Sequence, residues 1–518
     1  MYGSVNYQYS TVHLLDFFKE YSSFYPQSIF VISLQMNKPT YHDLVNQTFD
    51  FPQEGLEVKN NYLHFNGLDI KKLIDKYGTP FKLTFLPKIG SQINRAKKLF
   101  NDAIKKHKYE GNYYYCYCTK SSHFSFIVEE TLKHNVHIET SFTYDIEIVK
   151  QLYRRRKITK ETKIICNGFK TKSYTRNIAK LINDGFKNVT PVLDNQAEFE
   201  DYKKMIRAKD PVNIGIRIAT EEEPTFDFYT SRLGIRNKDV LEFYVDKIKG
   251  NTKFNLKMLH FFMNKGIKDD IYYWSELNKV LHLYCQLKKI CPELDSINIG
   301  GGFPIKHSLA FDYDYAYMAN EIIATIKKVC KANKVAVPDI YTEFGSFTVG
   351  ESGAVIYSIL DEKMQNDREI WYMIDSSFIT TLPDTWGIGE KFLLLPINKW
   401  DKEYQEVHLG GLTCDSHDFY TSEEHINAVF LPKNEHMPFT RTKDPKEMKD
   451  QEPLYIGFFH TGAYQDQLAG YGGIKHCMIP SPKHVVVEMN PKTGELEDWL
   501  YAKEQSYQSM LKILGYIR

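Results

Sequence analysis

The chain has 518 residues, with 66 Lys+Arg against 65 Asp+Glu and a formal net charge of +1. Its 42 % hydrophobic and 25 % charged residues exclude a disordered or fibrous chain, and the balanced charge excludes a chain-wide field for nucleic acid or membrane. The length suits two or three domains, or one barrel with a smaller companion, and 36 Tyr and 33 Phe supply a large core.

At the N-terminus, the apolar run Ser28–Leu34 is far short of the roughly 20 residues that cross a bilayer. Asp16 and Glu20, with no basic n-region, argue against a secretory signal. Residues 1–35 are read as an N-terminal extension, with Met36 as a second candidate start that N-terminal sequencing would test. Residues 36–82 are expected to join the later β-domain, through a strand at Tyr62–Phe65 added to one of its edges.

From about residue 90, short β-rich runs alternate with helical periods, the signature of parallel βα architecture. Ser91–His107 reads as a leading helix. Eight candidate strands follow: Tyr113–Tyr117, Val136–Thr140, Lys163–Asn167, Val189–Leu193, Asn213–Ala219, Leu256–Phe262, Ser296–Gly300 and Asp339–Phe344. Phe124, Ile127, Val128 and Leu132 share one helix face between them. Tyr273, Leu277, Val280, Leu281 and Tyr284 share another. Eight such units predict a (β/α)8 TIM barrel over residues 83–348; a doubly wound sheet is the rival, because periodicity does not show closure. Residues 349–518 read as an all-β sandwich or barrel domain, with strands near 369–378, 391–397, 406–412, 454–459 and 484–488 and an exposed loop at 433–451.

The eight cysteines, Cys116, Cys118, Cys166, Cys285, Cys291, Cys330, Cys414 and Cys477, include no Cys-x-x-Cys pair and are too sparse for a disulfide scaffold. They read as reduced thiols of a cytoplasmic protein, and no metal site is assigned. His123 and His134 have no carboxylate or thiolate at ligand spacing in the sequence. The basic run Arg154–Lys157 suits a helix C-terminus better than nucleic acid. Arg217, inside a strand, needs a charged partner, for which Glu139 is the candidate.

In a TIM barrel the reacting groups sit at the C-terminal ends of the strands. Those positions hold Lys120 after strand one, His260 on strand six, the turn Gly300-Gly-Gly-Phe-Pro304 after strand seven and Glu343 on strand eight. Each has an ordinary explanation: a solvated lysine, a core histidine, a tight turn. Together they supply what pyridoxal phosphate requires: an amine for a Schiff base, backbone N–H groups for phosphate and a carboxylate for the ring nitrogen.

The motifs Tyr117-Cys-Thr-Lys120, Leu259-His260-Phe-Phe, Ile299-Gly-Gly-Gly-Phe-Pro304, Thr342-Glu343-Phe-Gly345, Cys414-Asp415-Ser-His-Asp418 and Gly462-Ala-Tyr464-Gln465 stand in this order along the chain. In this the sequence resembles the fold type III pyridoxal-phosphate decarboxylases of basic amino acids over roughly residues 75–518. The resemblance implies an alanine racemase-like barrel with a C-terminal β-domain and pyridoxal 5'-phosphate as cofactor. It implies Lys120 as the Schiff-base lysine, His260 stacked on the ring, Glu343 at the ring nitrogen, and Gly300, Gly301, Gly302 and Tyr464 at the phosphate. Cys414 would return the proton to Cα and Asp415 would meet the distal cation, both reaching into the other subunit of a head-to-tail homodimer.

Three departures stand out. The family's Glu-Pro-Gly-Arg is Glu343-Phe-Gly-Ser346 here, which removes a phosphate-binding arginine, the usual Lys-x-Asn at the lysine is missing, and so is the large insertion typical of the long bacterial arginine decarboxylases. Asp415 suits a distal cation where diaminopimelate decarboxylases resemble one another in having Glu, and the stretch Ile456–Gln465 is more similar to arginine decarboxylases than to ornithine ones. Arginine decarboxylation to agmatine for polyamine synthesis is therefore the expected activity, with ornithine, lysine and diaminopimelate as alternative substrates. An amino-acid racemase is the alternative reaction, and a non-catalytic scaffold would be expected to have lost Lys120 or Cys414. Neither nucleic acid nor membrane is expected as a partner.

Overall fold

The computed structural model describes residues 38–222, 229–420, 429–434 and 452–518. The 1–35 extension, and all but the first two residues of the 433–451 loop, lie outside the described residues. Thr40–Arg518 form one compact unit.

Eight parallel strands build the centre of that unit: Tyr113–Cys118, His137–Thr140, Ile164–Cys166, Val189–Leu193, Val212–Ala219, Phe254–His260, Ser296–Asn298 and Asp339–Phe344. Each is hydrogen-bonded to the next, and the last returns to the first, pairing Ile340 with Tyr113 through Phe344 with Tyr117. That pairing closes the barrel and removes the doubly wound alternative. Several strands are buried at every residue, as strands covered on both faces must be.

The surrounding helices follow from their apolar spacing. The leading helix runs from Leu86 to His107, five residues earlier than its periodicity predicts, because Pro87 sits in the first turn, where a missing N–H costs nothing. Ile89, Ile93, Ala96, Phe100 and Ala103 form its buried stripe, and Lys108 ends it in the left-handed conformation. The helix Ile271–Lys288 buries the whole predicted face of Tyr273, Leu277, Val280, Leu281 and Tyr284. Its first turn is capped by Asp270, which accepts from Tyr273 N–H at 2.8 Å. Among the described residues, no helix is long and apolar enough to cross a membrane.

The second layer is a ten-stranded sheet. Its longest member, Gly353–Met364, pairs antiparallel with Phe81–Phe85, Tyr455–Phe459 and Ile370–Ile374. Here the sequence reading needs correction. The segment before the barrel joins this sheet through Phe81–Phe85, which lies between Gly353–Met364 and Lys483–Met489 in the sheet interior. Tyr62–Phe65 instead forms a separate three-stranded sheet with Leu56–Lys59 and Leu68–Asp69. Five consecutive buried residues, Phe81–Phe85, show why the strand is central.

One other expectation changes. His123 does have a carboxylate neighbour, Asp145 at 3.0 Å, and His134 lies 3.6 Å from Glu130. In the basic run, Arg155 and Lys157 both pair with Glu129 at 2.7 Å.

Candidate active site

The first barrel strand ends in a tight turn, Thr119–Ser121, that carries Lys120. Thr119 Oγ1 donates to the Glu139 carbonyl at 3.0 Å and Ser121 Oγ donates to the Cys118 carbonyl at 2.8 Å. With both neighbours tied down, Lys120 projects into the barrel mouth with 45 % of its side chain accessible. Its Nζ lies 3.9 Å from Oε2 of the fully buried Glu139. Burial opposes the ammonium, but the nearby acidic groups, Glu139 foremost, outweigh it and raise the lysine pKa. Burial in turn raises the Glu139 carboxyl.

Opposite stands Glu343. Asn167 Nδ2 donates to its two oxygens at 2.7 and 2.8 Å, and Asn298 Nδ2 donates to Oε1 at 2.5 Å. His260 Nε2 lies 3.2 Å from Oε2. Burial alone would raise this carboxyl; His260, Lys120 and Asn167 overcome it and hold the pKa below the ordinary range. Burial lowers the pKa of His260, so its ring is neutral near pH 7. A neutral ring facing an ionised carboxylate carries its hydrogen on Nε2, which leaves Nδ1, buried and without a hydrogen-bond partner, as an acceptor.

The glycine turn is shaped by close backbone approach. A Cβ at Gly301 would lie 2.3 Å from the Glu343 carbonyl oxygen, and one at Gly302 would lie 2.6 Å from Gly266 Cα. Gly300 and Gly302 have φ of +69° and +114°, conformations that favour glycine. The three amides are not equivalent. Gly300 N–H donates to Asn298 Oδ1 at 2.9 Å, whereas Gly301 and Gly302 line the cavity.

Two cavities of about 320 and 390 Å³ share Lys120, Phe262, Asn264 and Glu343. The first is bounded by Gly301, Gly302, Ser346 and Tyr464, and on the β-domain side by Asp384 and Glu390. The second holds Asn167, Arg217 and His260. Tyr464, at φ +67°, is anchored by its N–H to the Ser121 carbonyl at 2.8 Å. A larger cleft of about 550 Å³, between Gln53–Glu57 and Pro87–Ser91, lacks these groups; its Lys88 is committed to Glu54 and Glu351.

Lys120, His260, Gly301, Gly302, Glu343 and Tyr464 therefore meet around one mouth. Cys414 and Asp415 do not line it. They lie on an exposed β-domain loop, where the Cys477 thiol raises the Cys414 pKa and bonds from His417 lower that of Asp415. The expected Arg217–Glu139 pair is not formed. Glu139 faces Lys120 instead, while Arg217 Nε is buried without a hydrogen-bond partner and its guanidinium feels Asp194 most among the carboxylates. Sequence reasoning missed Asn167 and Asn298. Their position at the ends of strands three and seven was the available signal, but asparagine there is indistinguishable from a loop residue.

Residues 89–350 match the family described as pyridoxal-dependent decarboxylase, pyridoxal binding domain. The chain belongs to this family. Its curated relatives include the biosynthetic arginine decarboxylases of Citrifermentans bemidjiense, 20 % identical over 86 % of this chain and 85 % of that one, and of Prochlorococcus marinus, 21 % identical over 87 % and 85 %. Among solved structures, the biosynthetic arginine decarboxylase of Campylobacter jejuni aligns with a TM-score of 0.72 at 21 % identity, covering 92 % of this chain and 90 % of that one. The diaminopimelate decarboxylase of M. jannaschii with L-lysine aligns at 0.69 and 18 % identity, covering 88 % and 97 %. These likenesses confirm the fold.

The residues present fit a pyridoxal group. A lysine projects into the cavity, a carboxylate is kept ionised opposite it, and a glycine turn packed too closely on backbone for any Cβ lies beside both.

Proposed function

We propose that this family member decarboxylates L-arginine to agmatine and CO2, using pyridoxal 5'-phosphate, as a step in polyamine synthesis. The observation that carries the reaction class is the convergence of Lys120, Glu343 and the Gly301–Gly302 turn on one cavity. The substrate follows from relatives named biosynthetic arginine decarboxylase, matched over 85 % of their length.

When bound, the cofactor supplies an electron sink for the pair left on Cα as CO2 departs. Lys120 Nζ would hold the cofactor and exchange it for the substrate amine. Glu343, ionised and fixed by two asparagines, would keep a proton on the ring nitrogen. His260, neutral and rigid against Glu343, would press on the ring face. Gly301 and Gly302 N–H, with Tyr464 and Ser346, would hold the phosphate; Ser346 offers hydrogen bonds where the family arginine would add charge.

In a head-to-tail homodimer, Cys414 of one protomer would reach the other's cavity. Its raised pKa keeps it a thiol near pH 7, so it can give Sγ–H to Cα and later recover a proton from water. The balance is one arginine and one proton consumed, one agmatine and one CO2 released. Asp415, its pKa lowered by His417, would be an ionised partner for the guanidinium.

The test is product analysis with arginine, ornithine, lysine and diaminopimelate in parallel, with Lys120→Ala as the control. Agmatine with matching CO2, lost in the control, supports the assignment. Another amine overturns the substrate, and α-proton exchange without CO2 overturns the reaction.

A further inference from the structure

One cluster of ligand-type side chains lies outside the cavity. Cys414 Sγ is 3.4 Å from Cys477 Sγ and 4.0 Å from His476 Nε2, and the three residues bring one ligand atom each within 4.8 Å of the others. Cys414 follows the strand Tyr404–Gly410, whereas His476 and Cys477 share the turn His476–Met478.

Both loops are anchored to the same short helix, Phe378–Thr381. The Asp418 carboxylate accepts from Phe378 N–H at 2.8 Å and from Thr413 Oγ1 at 2.7 Å, fixing the residue before Cys414. Lys475 Nζ, on a buried side chain, donates to the Thr380 carbonyl at 2.7 Å, fixing the residue before His476. The cluster is thus held from two sides by hydrogen bonds that do not use the ligand atoms.

We propose that Cys414, His476 and Cys477 form a binding site for a thiophilic divalent cation of the zinc class, with one coordination position left open. Bond lengths of about 2.3 Å to sulfur and about 2.0 Å to nitrogen put tetrahedral ligand atoms roughly 3.8 Å apart for S···S and roughly 3.6 Å for S···N. The observed 3.4 and 4.0 Å need adjustments of about half an ångström or less, and the His476–Cys477 pair, within 4.8 Å, needs at most about 1.2 Å, which a turn of the exposed side chains can supply. A disulfide would need the sulfurs to close to about 2.05 Å. Two thiolates and a neutral imidazole balance the dication's charge, and soft sulfur ligands disfavour magnesium and calcium. All three residues are exposed in the single chain. Metal binding does not depend on the assigned reaction. Its consequence does: by the proposed function, zinc on Cys414 would block the proton donor and inhibit turnover.

The test uses the full-length holoenzyme kept reduced with a non-chelating phosphine. Expected are roughly one zinc per chain by equilibrium dialysis, a sulfur-to-cobalt charge-transfer band with Co²⁺, and affinity at least about ten-fold weaker in His476→Ala and in Cys477→Ser, each checked for native circular dichroism. CO2 release should fall with zinc, recover with EDTA, and resist zinc in Cys477→Ser. Unchanged zinc affinity in both variants overturns the site. So does a wild-type chain that takes up no zinc, including one whose Cys414 and Cys477 peptides are recovered disulfide-linked. Zinc bound by the cluster in a protein with no decarboxylase activity upholds the site and overturns only the functional reading.

Discussion

His260 Nε2 lies 3.2 Å from Glu343 Oε2, with both side chains buried. The contact joins the sixth and eighth barrel strands, and with Asn167 and Asn298 it surrounds the carboxylate with hydrogen-bond donors. A charge held this way is ionised before any ligand arrives, which is the preorganisation that electrostatic catalysis requires.

Replacing that charge should therefore cost turnover more than binding. Glu343→Gln keeps the shape but sets an amide NH2 among existing donors. The kcat for CO2 release is expected to fall about 10²- to 10³-fold with a smaller change in KM, measured by steady-state kinetics at saturating cofactor.

The glycine cradle has no room to give. At Gly301 an added methyl meets the Glu343 backbone oxygen, which no side-chain rotation relieves. Gly301→Ala should lose about 1–3 kcal/mol of stability and weaken cofactor binding. Gly387→Ala, where nothing lies within 4 Å, should change neither. Denaturant midpoints and cofactor titration compare the two.

Two buried histidines should make the fold acid-sensitive. Burial lowers the pKa of His460 and His484 from 6.5 to about 4. Between those values the unfolded chain binds more protons than the folded one. Stability is then full above about pH 6.5 and is lost as pH falls toward 4, by up to about 3 kcal/mol for each ring. His484→Gln, which keeps a polar group near Thr84, should flatten part of the pH dependence of the urea midpoint between pH 4 and 6.5.

Lys82 and Asp466 form a largely buried ion pair between the pre-barrel strand and the helix that follows Tyr464. Lys82→Met strands a buried carboxylate and should cost about 3–5 kcal/mol. Combining it with Asp466→Leu should recover most of the loss. A double-mutant cycle by chemical denaturation checks both values.

The alternation of β-rich and helical runs determined eight parallel strand–helix units in the sequence, and with them the strand-end positions of Lys120, His260, the glycine turn and Glu343. Such a fold places the ends of all its strands at one mouth, so those residues converge without knowledge of any side-chain contact. The glycines and the charged residues were legible because their chemistry is unusual at such positions.

The tertiary structure alone decided who pairs with whom. A strand's residue pattern shows how it is buried but not its partner, so the closure between Ile340 and Tyr113 and the insertion of Phe81–Phe85 into the β-domain had no local sign. The two asparagines that hold Glu343 and the loss of the Arg217–Glu139 pair depend on side chains distant in the chain. So does the thiol–imidazole cluster, whose Cys414 and His476 are 62 residues apart. Motif spacing detects ligands that one element holds together; ligands brought together by two loops anchored to a third become visible only when the chain has folded.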